Sequence, residues 1–181
     1  MLHFDFNGSD LKRIADEFGA SEKQLEFAYS RALRRTASRM RTMARKGLRE
    51  RLDLRSATEL RKRLHGFRFK KGNQLGEVRM WFGLNDLRAS AFKGRPRRTA
   101  SGAEMAGREV TGGFVGRNRK GRRTVMRRTG PTRHPIAEAR LGILDEAETF
   151  VEDEVFSELE RVFMQNFRHE IRARTIYEVG K

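Results

Sequence analysis

Residues 67–83 read FRFKKGNQLGEVRMWFG, and the period of this stretch decides the fold class. Phe67 and Phe69 alternate with Arg68 and Lys70, Gly72-Asn73 can turn the chain, and Leu75, Val78, Met80 and Phe82 lead on to Gly83. Alternation at every second residue is the pattern of a half-buried strand, so a β-hairpin is expected here. The flanking sequence has a different period. From Leu25 the apolar positions Ala28, Tyr29, Ala32, Leu33, Thr36, Met40, Met43, Ala44 and Leu48 recur every three or four residues. That spacing predicts a long amphipathic helix, opened by the capping box Ser21-Glu22-Lys23-Gln24 and ending near Gly47. Helix and hairpin in one short chain make the class α+β.

Further elements follow from the same two periods. Leu2, Phe4 and Phe6 alternate ahead of Asn7-Gly8, which predicts a short strand that needs a sheet to join. Ser9-Asp10 can cap a short helix through Phe18, stopped by Gly19. Ser56-Ala57-Thr58-Glu59 repeats the capping-box pattern and opens a short helix to about Leu64, closed by His65-Gly66. Residues 84–107 lose periodicity and read as a long extended or mobile loop that orders only against a partner. Residues 108–130 read as a second hairpin: Val110, Phe114 and Val115 face Thr124, Val125 and Met126 across the basic tip GRNRKGRR. From Asp145 the positions Val151, Val155, Phe156, Leu159, Val162, Phe163, Asn166, Phe167 and Ile171 predict a second long helix. Its acids come first and its arginines last, which suits the helix macrodipole. The expectation is one α+β domain over residues 1–181, with two long amphipathic helices packed on a small, mostly antiparallel sheet.

Charge bounds the function. The chain of 181 residues carries 40 Lys and Arg against 24 Asp and Glu, a formal +16, which creates an attractive field for any polyanion. With 37% hydrophobic and 35% charged residues, the core is modest and much of the surface is solvated or faces a partner. Cysteine is absent from the sequence, so disulfides, thiolate metal sites and thiol catalysis are excluded. No window approaches the roughly 18 apolar residues of a membrane span, and no membrane partner is expected.

The candidate residues lie in two groups. Arg117, Arg119, Lys120, Arg122, Arg123, Arg127 and Arg128 crowd the second hairpin and can neutralise phosphates or acidic protein surfaces, with no interleaved aromatic to stack bases. Glu148, Glu152, Asp153 and Glu154 form an acidic block in a basic protein and are candidates for an inter-subunit contact. GRNRKGRR lacks the lysine and hydroxyl of a nucleotide-binding loop. His3, His65, His134 and His169 are far apart and match no metal spacing. Asp53, Glu77 and Asp86 stand near predicted strands without forming a catalytic signature. Neither a cofactor nor enzymatic activity is expected.

The order of these parts resembles the phage minor tail protein Z family, the tail completion proteins of long-tailed phages and prophages. The likeness is carried by ALRRTASRMRTMARKGLRER in the first long helix, the strand VRMWFGLNDL, the hairpin ending VMRRTG, the passage RHPIAEARLGI and the last helix ending FRHEIRARTI. It covers most of the chain. The resemblance implies a structural virion protein at the head-proximal end of the tail or neck, assembled in the host cytoplasm. It further implies a homo-oligomeric ring, hexameric in the family, acting with the tail terminator to join tail to head, and with packaged DNA in the lumen as a further partner. The alternative that composition supports is a nonspecific nucleic-acid-binding protein.

Overall fold

The computed structural model describes residues 2–3, 8–61, 63–64, 67–70, 77–80 and 82–177. In chain order the elements begin with strand β1 (Leu2–His3), helices α1 (Gly8–Glu17), α2 (Glu22–Arg51) and α3 (Thr58–Arg61), and strands β2 (Phe67–Lys70) and β3 (Glu77–Met80). Next come β4 (Leu87–Arg88), a 3-10 turn (Ala89–Ala91), β5 (Arg97–Arg98), β6 (Gly102–Met105), β7 (Arg108–Thr111), β8 (Phe114–Arg117) and β9 (Arg123–Arg128). Strands β10 (Ile136–Glu138) and β11 (Arg140–Leu141), helix α4 (Leu144–Phe150), a π-helical segment (Val151–Phe156) and helix α5 (Leu159–Thr175) complete the order. The α+β class is as the periods require, with long helices toward both ends. Chain contacts divide the protein into two compact units where a single domain was expected.

The first unit comprises Met1–Ala44, Leu64–Phe82 and Val151–Lys181. Its core is a three-helix cluster: Leu11, Ile14 and Ala15 of α1, Leu25, Ala28, Tyr29, Ala32 and Leu33 of α2, and Phe163, Phe167 and Ile171 of α5. Tyr29 meets Phe163 edge-on at 5.6 Å between ring centroids, and Phe163 stacks on Phe167 at 5.9 Å. Such pairs add directional attraction to the apolar area they bury. The helix starts and stops are built as the residues dictate. Ser21 Oγ accepts from the Gln24 backbone NH at 3.3 Å while Gln24 Oε1 accepts from the Ser21 NH at 2.9 Å, the reciprocal pair of a capping box. After α1 the Gly19 and Ala20 amides return to the carbonyls of Asp16 and Ala15. That closure is a Schellman motif, in which Gly19 adopts φ +60°.

The predicted first hairpin is present. Strands β2 and β3 pair antiparallel, with Phe67 opposite Met80 and Phe69 opposite Val78. β1 adds to the other side of β3, giving the order β1-β3-β2 and supplying the sheet that the N-terminal alternation needs. Phe4, Phe6, Asn7, the Gly72-Asn73 turn, Leu75 and the His65-Gly66 stop lie outside the described residues. The predicted second long helix is divided: α4 and α5 are separated by the π-helical segment. Val151, Val155 and Phe156 are all buried there, and the wider winding accommodates an inward pair at 155 and 156.

The second unit comprises Arg45–Arg63 and Gly83–Phe150. Residues 84–107, read as a loop, instead contribute β4, the 3-10 turn, β5 and β6. The reason is burial: Leu87, Ala89, Phe92, Ala103 and Met105 are fully enclosed and form a core with Leu48, Leu52, Leu54, Val125, Leu141 and Ile143. Strands β5-β6-β7 and β10-β9-β8 form two antiparallel three-stranded sheets, and β4 pairs with β11. Ala139 joins the pieces, donating its NH to Val125 and accepting from the NH of Ala89. Helix α2 continues past Gly47 to Arg51, because a glycine inside a well-packed helix can be a packing requirement. The ring of Phe150 stands where a Cβ at position 47 would be.

Candidate anion-binding site

The basic hairpin is narrower and better organised than its sequence alone indicates. Residues 108–130 form parts of two hairpins. Val110 belongs to β7, which pairs with β6, while β8 and β9 pair through Phe114–Met126, Val115–Val125, Gly116–Thr124 and Arg117–Arg123. The tip is therefore the five residues 118–122, and Arg117 and Arg123 lie in the strands.

Asn118 shapes that tip. Its Oδ1 accepts from the backbone NH groups of Lys120 at 3.0 Å and Arg122 at 3.1 Å, and its own NH donates to the Arg122 carbonyl at 2.9 Å. Gly121 takes φ +73°, a conformation costly for residues with a Cβ. Arg117 Nη1 donates to the Gly121 carbonyl at 2.8 Å, and Arg122 Nη1 to the Ser90 carbonyl at 3.3 Å. Below the tip, Glu138 Oε1 accepts from Thr124 Oγ1 at 3.0 Å and from the Ser90 NH at 2.8 Å. Thr124 is fully buried, so β9, β10 and the 3-10 turn are locked by one carboxylate.

All seven predicted basic residues, Arg117, Arg119, Lys120, Arg122, Arg123, Arg127 and Arg128, are exposed. Among the described residues none of them pairs with a carboxylate. Arg128 lies over the Phe114 ring at 5.7 Å, which explains why that aromatic is not free for stacking. Arg127 and Arg128 sit opposite Ala137 and Ile136, at the end of β9 away from the tip.

The structure also brings in a residue that sequence reasoning left in the supposed loop. Arg98 of β5 joins Arg117 and Arg123 in lining a cavity of about 350 Å³, completed by Pro96, Val115 and Gly116. The run RPRR at 95–98 was its signal, but only the folding of β5 against β8 gives it a direction. A second cavity, of about 620 Å³, is lined by Arg51, Asp53, Lys93, Arg108 and Glu146 among others. Its charges are internally matched: Lys93 Nζ lies 3.1 Å from Asp53, and Glu146 pairs with Arg108 and, at 3.9 Å, with Arg51.

The acidic candidates are exposed as well. Glu148 lies on α4 in the second unit, while Glu152, Asp153 and Glu154 lie in the π-helical segment of the first. Neighbouring Glu158 is engaged by Arg161, whose hydrogen bond holds that carboxyl below its ordinary range. His134 and His169 are exposed, and no group of three metal-ligating side chains occurs among the described residues. No described helix is long and apolar enough to cross a membrane. No family model, curated protein or solved structure matches this chain.

Proposed function

We propose that this chain is a structural virion protein, a tail completion protein at the head-proximal end of a long phage tail that helps join tail to head as a ring. The observation that carries the reading is a basic tip, closed by Asn118, whose cations find no carboxylate among the described residues, on a chain that also exposes Glu148, Glu152, Asp153 and Glu154. A head-to-tail ring needs two unlike, complementary patches on each copy, and opposite charge selects partner and register. The order of sequence elements, which resembles the minor tail protein Z family, supports the same reading. In it the protein assembles in the host cytoplasm and resides in the virion.

The test is assembly. Replacing Arg119, Lys120 and Arg122 by Ser is expected to leave the thermal transition nearly unchanged, because the tip is held by Asn118 and the backbone. Concentration-dependent oligomers in sedimentation should disappear. Replacing Glu148, Glu152, Asp153 and Glu154 by Ser should have the same effect. Undiminished oligomers in both variants would overturn the reading. The high net charge favours nonspecific nucleic-acid binding as the second reading, and a monomer that binds duplex DNA at every concentration without self-association would select it.

A further inference from the structure

We infer that the cavity between β5 and β8–β9 is a seat for a backbone phosphate of nucleic acid, held by Arg98, Arg117 and Arg123. The inference stands whether or not the chain assembles into rings.

Three observations converge on it. The lining carries three guanidinium-bearing residues and no carboxylate. Arg117 and Arg123 are also direct cross-strand partners, and like charges opposite one another weaken an antiparallel ladder unless an anion lies between them. The other large cavity of the same unit shows the contrast, since there Asp53 and Glu146 neutralise the cations. In the Arg98 cavity that anion must come from outside.

The frame is also prepared in advance. Pro96 is buried beside β5, the tip is closed by Asn118, and the Thr124–Glu138–Ser90 hydrogen bonds fix the strand that carries Arg123. A fixed backbone frame limits the freedom lost when the ligand arrives. Arginine suits the task because its planar fork can bond phosphate oxygens in pairs, and the oxygens of one phosphate can accept from several guanidiniums.

Two features point to a polymer. Arg119, Lys120 and Arg122 carry exposed positive charge past the cavity into the tip, and Arg127, which shares a face of β9 with Arg123, carries it the other way, so an extended polyanion meets charge along its length. The lining offers no aromatic face or base-reading amide. Recognition is therefore of the backbone and independent of base sequence.

The experiment measures binding of a mixed-sequence 20-base-pair DNA duplex by fluorescence anisotropy between 50 and 300 mM salt. Replacing Arg98, Arg117 and Arg123 by Ser should lower affinity about tenfold or more at 100 mM and, because the three arginines share one phosphate, reduce the salt-dependence slope by about 1. A control replacing the exposed Arg49, Arg168 and Arg172 by Ser removes the same charge elsewhere and should change the slope much less. The cavity variant should melt close to the parent at low salt, because relief of the repulsion between positions 117 and 123 offsets the lost hydrogen bond from Arg117 to the Gly121 carbonyl. A second variant, R98K/R117K/R123K, keeps the charge and the fold; it should retain most of the slope while losing several-fold in affinity through the lost paired hydrogen bonds. Equal losses in cavity and control variants would overturn the proposal. So would displacement of the duplex by a poly-glutamate peptide at lower charge concentration than unlabelled DNA. Stabilisation of the parent alone by millimolar inorganic phosphate, with duplex affinity unchanged in the cavity variant, would likewise overturn it in favour of a small oxyanion.

Discussion

Glu170 shows how one side chain can organise a whole unit. It is 3% exposed, yet it lies 2.6 Å from Arg174, 2.9 Å from Arg35 and 3.5 Å from Arg31. Oε2 accepts a hydrogen bond from Arg174, whereas Oε1 faces Arg35 as a charge pair without an aligned hydrogen bond. Removing the carboxylate leaves three cations facing each other at the junction of α2 and α5. Glu170→Ala should therefore cost about 3 kcal/mol in urea unfolding, toward the low end for a broken buried pair because Arg31 and Arg35 are half in solvent. Arg31→Ala alone should cost less than about 1 kcal/mol, as for other exposed pairs. Gly47 makes the opposite point about local rules. Alanine is the better helix former by about 1 kcal/mol, but the Phe150 ring fills the space its methyl needs. Gly47→Ala should thus destabilise by about 1–3 kcal/mol, and pairing it with Phe150→Leu should recover part of the loss in the same unfolding assay. The helix propensities around Gly47 were readable in the sequence; the ring across from it was not.

At the scale of elements, β7 and the turn between β5 and β6 carry a pH signature. Glu109 accepts hydrogen bonds from Ser101 Oγ and from Thr99 Oγ1, the latter at 2.5 Å, and these hold its carboxyl below the ordinary carboxylate range. A lowered folded value means the contribution is complete above the unfolded pKa and is lost as pH falls through the folded one. The difference in melting temperature between the parent and Glu109→Gln should therefore be largest near neutral pH and shrink as the solution is acidified below the ordinary carboxylate range. A difference independent of pH would show that the charge is irrelevant. In the helical unit, Phe163 is fully buried between Tyr29 and Phe167, and Phe156 meets Phe82 edge-on. Replacing both by Asp should abolish the cooperative unfolding transition seen by circular dichroism. The periods at 3.6 and 2 made these helices and the first hairpin legible. Strand β6 escaped because its inward residues are Ala103 and Met105 between Gly102 and Glu104, an alternation with weak hydrophobic contrast. The π-helical segment escaped because no glycine or proline marks it.

For the molecule as a whole, the governing quantity is charge left unmatched inside the fold. A net +16 on a chain that engages Glu170, Glu138 and Glu146 in internal pairs or hydrogen bonds leaves the basic hairpin to act outward. The assembly proposed for those charges should weaken steeply between 0.05 and 0.5 M salt, as screening shortens from beyond about 10 Å toward about 3 Å. Sedimentation of the parent across that range, compared with the tip variant, measures the electrostatic share.

The sequence by itself determined the α+β class, the long helices, the first hairpin and the identity of the basic and acidic groups. These depend on periodicity, capping chemistry and composition, which are local or additive. Only the tertiary structure decided that residues 84–107 build a second core, that Gly47 must yield to Phe150, and that Arg98 stands with Arg117 and Arg123. Each of these joins residues distant along the chain through burial or repulsion, and neither interaction leaves a period to read.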